Sequence, residues 1–108
     1  MTEHFTFSQE CINKYDEEVY GLIMDSFDAM PLACLINEKY LGVHGGISPE
    51  LKKLDMIQKI KRFKETPLDG LFCDLLWSDP LDDDKAGDYD FMDNEERECS
   101  FVFGKKPC

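Results

Sequence analysis

Two short apolar runs, separated by three polar residues and followed at once by His-Gly-Gly, constrain the fold of this chain more than any other feature. The runs are residues 32–36 and 40–43, and residues 37–39 (Asn-Glu-Lys) join them. Apolar runs of this length, joined by a few turn-forming residues, predict a β-hairpin. The second strand would deliver His44 to its end, and the two glycines after it would lie at the strand exit.

The stretch from Ser8 to Met30 precedes the hairpin and carries a helical pattern. Asp16 belongs to the residue types favoured at a helix N-cap, and Pro31 would end the helix. The apolar residues at helical spacing, which would form a buried face, are Val19, Tyr20, Ile23, Met24 and Phe27. The chain is therefore expected to begin with helix and continue into the hairpin.

Downstream of the hairpin, two short helices are expected. One would begin near Ser48, since serine caps well and proline, here the next residue, suits the first turn. The other would begin near Asp55. A continuous apolar run, residues 71–77, is interrupted only by Asp74 and is interpreted as a buried strand.

The last third of the chain is dominated by acidic residues. Residues 79–98 contain ten acidic and two basic side chains, which favours a solvated loop. Residues 100–103 have the composition of a strand, and Gly104 would end it.

Charge and length limit the possible functions. The 108 residues fit one small domain, and 43% of them are hydrophobic, which is enough for a core. The net charge of −11 disfavours binding to nucleic acids and anionic membrane surfaces. No apolar run approaches the roughly 20 residues that span a bilayer.

Cysteine usage indicates a reducing compartment. The five cysteines are Cys11, Cys34, Cys73, Cys99 and Cys108. Their number is odd, none form a C-x-x-C pair, and the N-terminus lacks a signal-peptide pattern. Free thiols and a cytoplasmic location are therefore expected.

His44 is the first candidate site residue. An imidazole at a strand end, ahead of a flexible glycine pair, is suited to ligate a transition metal. The tetrapeptide alone favours the alternative, a structural histidine at a hairpin exit, because one ligand does not make a site.

Trp77 and Asp79 form a second candidate. An aromatic side chain followed by a carboxylate can form the wall of a site and orient a metal ligand. The alternative is a core tryptophan followed by an Asp-Pro turn.

Arg97 is a third candidate, because a guanidinium can grip phosphate with two parallel hydrogen bonds. Its alternative is an ion pair with one of its acidic neighbours Glu95, Glu96 or Glu98.

Together these motifs resemble the phosphoprotein phosphatase family of metallophosphatases, and within it the calcineurin catalytic subunits. The motifs are HGGISPE at 44–50, LLWSDP at 75–80 and Arg97 ahead of Cys99-Ser100-Phe101, with flanking similarity at 5–11, 24–28 and 62–65. The similarity runs from about Thr2 to Phe103.

The resemblance implies an α/β fold, a β-sandwich flanked by helices, of which residues 1–104 would be part and 105–108 a truncated end. It also implies a protein serine/threonine phosphatase with two metals, commonly iron with zinc or manganese, that activate a hydroxide toward phosphoserine and phosphothreonine. In such a site His44 would ligate a metal and Arg97 would hold the substrate phosphate. Trp77 and Asp79 would support the site's wall.

The chain also departs from the family. The remaining metal-binding motifs are expected outside its 108 residues, so it resembles an internal fragment that should be inactive alone. The segments that bind calcineurin B and calmodulin would also lie outside, so those partners apply only to a longer protein. Glu98 stands where the family has glycine after the arginine, and its carboxylate could compete with phosphate.

Three possibilities therefore remain open. One is a piece of an active phosphatase acting on phosphoproteins. A second is a truncated, non-catalytic module that binds phosphatase partners or substrates. A third is an acidic domain whose resemblance to the family is structural only.

Overall fold

A computed structural model describes residues 1–82 and 87–107, which form two compact units divided between Met30 and Pro31. Four residues of the predicted acidic loop, Asp83, Asp84, Lys85 and Ala86, lie outside the described residues, as does Cys108. The four described cysteines carry free thiols, as predicted. In the described part, no helix is both long enough and apolar enough to cross a lipid bilayer.

The first unit contains two helices, α1 (Phe7–Lys14) and α2 (Glu17–Asp28). The predicted N-cap is confirmed, since the Asp16 carboxylate accepts a 2.8 Å hydrogen bond from the Val19 amide. This cap begins α2 and so divides the predicted helical stretch in two. The second helix ends before Pro31, as predicted.

The second unit begins with the predicted hairpin, formed by β1 (Ala33–Ile36) and β2 (Tyr40–Val43). The strands are antiparallel, with Ala33 opposite Val43. In the turn, Asn37 and Glu38 adopt left-handed φ angles of 51° and 56°, the backbone twist that suits a tight hairpin. The hairpin prediction is confirmed.

Two helices follow, α3 (Asp55–Gln58) and α4 (Gly70–Trp77). The single turn of α3 confirms the helix predicted near Asp55. The helix predicted near Ser48 is wrong, because residues 49 and 50 form only a turn. The Ser48 hydroxyl accepts a 3.1 Å hydrogen bond from the Glu50 amide and donates one to Asp74. The strand interpretation of 71–77 is also wrong, since this run is α4. Residues 71–75 are all buried. The run therefore lacks the periodic spacing of apolar and polar residues by which a helix is distinguished from a strand.

Glu50 anchors the beginning of α4. Its Oε2 atom accepts a 3.2 Å hydrogen bond from the Leu71 amide, one of the helix N-terminal donors that lack an intrahelical partner. A carboxylate at this end also complements the helix dipole. The HGGISPE segment is thereby tied to the start of α4.

A three-stranded sheet completes the unit, with β3 (Asp79–Pro80), β4 (Phe91–Asp93) and β5 (Phe101–Phe103). The order is β3-β5-β4, with β3 parallel and β4 antiparallel to β5. The predicted strand at 100–103 is confirmed as β5. The prediction of a solvated loop over 79–98 is wrong in part, because β3 and β4 lie inside it. The mixed α/β class is confirmed.

Candidate functional site

The loop after the hairpin lies directly against the C-terminal end of α4. The Gly45 amide donates a 3.0 Å hydrogen bond to the Leu75 carbonyl oxygen. A Cβ atom on Gly45 would stand 2.7 Å from the Leu76 carbonyl carbon, closer than real side chains approach. Only glycine permits this backbone contact, which fixes where the strand carrying His44 ends.

Gly46 lies equally close to a second element. A Cβ atom there would stand 2.4 Å from the Phe103 ring and 2.8 Å from the Ser78 hydroxyl. Ser78 is fully buried, and its hydroxyl has no hydrogen-bond partner among the described residues. The two glycines therefore bring the loop, the end of α4 and β5 into contact.

A buried carboxylate secures the same three segments. Asp74 is 1% exposed; its Oδ2 accepts a 2.5 Å hydrogen bond from the Ser48 hydroxyl and its Oδ1 a 2.8 Å bond from the Ser100 hydroxyl. Hydrogen bonds to a carboxylate in a buried site are stronger than those between neutral groups. Asp74 thus joins the HGGISPE loop and the residue before β5 to α4.

The second candidate pair meets the third candidate in the structure. The Arg97 Nε atom lies 2.9 Å from Asp79 Oδ2, and its Nη2 atom 3.4 Å from Oδ1. The hydrogen bond from Arg97 lowers the pKa of Asp79 below its ordinary value, and a bond from Asn94 acts in the same direction. Among the described residues, Arg97 forms its ion pair with Asp79, and its glutamate neighbour Glu96 adds only a weaker electrostatic attraction.

Asn94 organises this pair and was missed in the sequence. It is 3% exposed, its Nδ2 donates to Asp79 Oδ2 at 2.9 Å, and its Oδ1 accepts from the Arg97 amide at 3.2 Å. Its signal in the sequence is faint. Asn94 is an asparagine in a run of charged residues, and asparagine side chains often hydrogen-bond to nearby backbone in turns. Asn94 orients both charged partners.

His44 is exposed and lies at the hairpin exit, as predicted. Trp77 is half-buried at the end of α4, with its carbonyl oxygen 3.5 Å from Asn94 Nδ2. Across residues 1–82 and 87–107, no three His, Cys, Asp or Glu side chains come together in a way that could hold a metal ion. The structure therefore joins Asp79 with Arg97, but does not surround His44 with further ligands.

The turn that carries Arg97 is strained. Glu98 and Ser100 adopt φ angles of 57° and 60°, in the left-handed region that is unfavourable for residues with a Cβ atom. The turn is held by a 3.1 Å hydrogen bond from the Asn94 amide to the Ser100 carbonyl oxygen. The strained turn thus contains the residue, Arg97, that contacts Asp79.

This strain predicts that Glu98→Gly stabilises the protein. Relief of the left-handed conformation should raise the free energy of unfolding by about 1 kcal/mol, measured by chemical denaturation. Glu96→Gly is the matched control, since Glu96 is an exposed residue of the same turn without a positive φ. This substitution should not raise the free energy of unfolding. Equal effects of the two substitutions would contradict the role assigned to the Glu98 backbone.

A family model described as calcineurin-like phosphoesterase matches residues 3–107. Two Saccharomyces cerevisiae proteins, serine/threonine-protein phosphatase 2B catalytic subunits A1 and A2, are 48% and 46% identical to the chain over 95% and 88% of its length. The chain spans only 20% and 16% of those two proteins.

A solved structure has a similar fold. It is described as a protein serine/threonine phosphatase from Saccharomyces cerevisiae with similarity to human phosphatase PP5. It superposes with a TM-score of 0.78 at 33% identity, over 91% of this chain and 29% of that one.

Proposed function

The chain belongs to the calcineurin-like phosphoesterase family, and from this premise we propose that it is part of a protein serine/threonine phosphatase. The reaction would be hydrolysis of phosphoserine and phosphothreonine in proteins. The 48% identity to a phosphatase 2B catalytic subunit over 95% of the chain carries this proposal. The 108 residues alone, we further propose, do not catalyse it.

The contact between Arg97 and Asp79 supports a role in binding phosphate. Arg97 is exposed, and its Nε and Nη2 atoms face Asp79. The carboxylate holds the guanidinium in one orientation, which reduces the entropy lost when a phosphate oxygen binds. We propose that Arg97 binds the substrate phosphate and that Asp79, with Trp77 beside it in the chain, positions it.

A dinuclear metal centre supplies an activated hydroxide in this family's reaction, but the described residues do not fit one. His44 is exposed and can offer one imidazole, and no group of three ligand-type side chains forms in the described part. Each ion of such a pair needs several protein ligands. His44 would thus be one ligand of a centre completed by other residues.

Metal analysis and a phosphatase assay on the 108-residue chain test this. After incubation with iron, zinc or manganese and removal of excess ion, we expect far less than one equivalent of bound metal. We expect no turnover of a phosphoserine peptide above a no-protein blank.

The control is a full-length phosphatase 2B catalytic subunit treated in parallel, which should bind metal and turn the peptide over. His44→Ala in the 108-residue chain identifies the origin of any signal. Stoichiometric metal and turnover, both lost in His44→Ala, would show that the chain holds a complete centre.

A further inference from the structure

Half of the chain's cations lie in one short segment. Of 12 basic residues, six fall within residues 52–64: Lys52, Lys53, Lys59, Lys61, Arg62 and Lys64. The single acidic residue among them is Asp55, so this segment carries a net charge of +5 and the remainder of the chain −16. We call residues 52–64 the basic segment.

Much of this positive charge is not neutralised locally. Lys59 pairs with Asp55 at 2.7 Å, and Lys52 donates to the Pro49 carbonyl oxygen at 2.6 Å. Lys53, Lys61 and Lys64 are exposed and form no ion pair with any residue in the described ranges. A strongly acidic protein therefore presents a local patch of opposite sign.

An exposed aromatic ring lies among these cations. Phe63 is 71% exposed, and the Arg62 guanidinium carbon lies 4.8 Å from the centre of its ring. Leu68, four residues beyond the segment, is 85% exposed. Aromatic and arginine side chains are the types enriched in protein interfaces, so residues 61–64 combine charge with an apolar anchor.

The basic segment is partly buried. Ile57 and Ile60, on and just after the single turn of α3, are half-buried while the lysines between and beyond them are exposed. The exposed lysines of the basic segment therefore alternate with half-buried apolar residues of the second unit.

We propose that the basic segment docks an acidic segment of a partner protein, with several carboxylates flanking one apolar side chain. Four consecutive residues, 61–64, span on the order of 10 Å, which is comparable with the Debye length at physiological ionic strength. A short acidic peptide can therefore stay within the local field. A nucleic acid or a membrane extends farther and would meet the charge of −16 on the rest of the chain. This inference does not depend on the phosphatase proposal.

Fluorescence anisotropy with a labelled twelve-residue peptide, rich in glutamate around one central tryptophan, tests the proposal on the full chain. The double variant Lys61→Glu and Lys64→Glu should weaken binding about tenfold or more, because two attractive contacts become repulsive. Phe63→Ser should weaken binding about threefold or more through loss of the apolar contact, with little change in salt dependence.

The control variant combines Lys39→Glu with Lys106→Glu, the same change of charge at two exposed lysines outside the basic segment. Its affinity for the peptide should change by less than about twofold, since screening limits distant charges. Circular dichroism establishes that each variant is folded. Equal weakening by both double variants, no binding by the parent chain, or tighter binding to an RNA oligonucleotide or phosphatidylserine vesicles would each overturn the proposal.

Discussion

Replacing Gly46 with alanine should lower the free energy of unfolding by about 2 kcal/mol or more, a typical cost of overpacking a closed core. The added Cβ atom would stand 2.4 Å from Phe103 Cε1 and 2.8 Å from Ser78 Oγ. Phe103 is 7% exposed and Ser78 is fully buried, so neither can swing into solvent. Chemical denaturation of both proteins gives the difference directly from the shift in midpoint.

Gly21→Ala is the control for this substitution. Gly21 lies inside α2, and a Cβ atom there would meet nothing within 4 Å. Alanine should therefore stabilise this helix by about 0.5–1 kcal/mol. If Gly46→Ala also left stability unchanged or raised it, the close approach of the loop to Phe103 would not be what requires glycine.

Local signals in the sequence were enough to predict the hairpin and the cap of α2. The three residues 37–39 act on their immediate neighbours, and the Asp16 carboxylate reaches an amide three residues away. Interactions of this range are visible in a sequence because both partners fall within one short window. The same reasoning correctly placed the glycine pair at a strand exit.

Local signals do not specify the structure of residues 71–77. An element buried on every side has no polar stripe, so its period cannot be read from hydropathy. Asp74, the one polar residue, is buried as well, since hydroxyl groups from residues 48 and 100 satisfy it. The helix is specified by tertiary partners that a local pattern does not reveal.

The candidate site shows the same difference between local signals and long-range contacts. Arg97 and Asp79 were each identified by residue type, but their contact joins positions 18 residues apart and depends on the strained turn after Asn94. Asn94 itself has side-chain bonds to both of them. Residue types therefore indicated the chemistry of the site, whereas the contact between Arg97 and Asp79 could be identified only from the folded structure.

Asp74→Ala should be as damaging as the glycine substitution, lowering the free energy of unfolding by about 2–4 kcal/mol. The truncation leaves the Ser48 and Ser100 hydroxyls without their acceptor, and each buried donor left unpaired costs about 1–3 kcal/mol. Ser48 is 4% exposed, so solvent cannot replace the lost bond there. Chemical denaturation measures the loss.

Asp69→Ala separates this effect from the general removal of a carboxylate. Asp69 is exposed, precedes the same helix and makes no side-chain capping bond, so its loss should change stability by less than about 0.5 kcal/mol. Adding Ser100→Ala to Asp74→Ala should recover part of the loss, because the hydroxyl left without its acceptor is removed as well. Ser48 is kept in this variant, since its Oγ atom also accepts a 3.1 Å hydrogen bond from the Glu50 amide. Should the double variant instead be destabilised by the sum of its parts, Asp74 and Ser100 would not act as one unit that holds the start of β5 to α4.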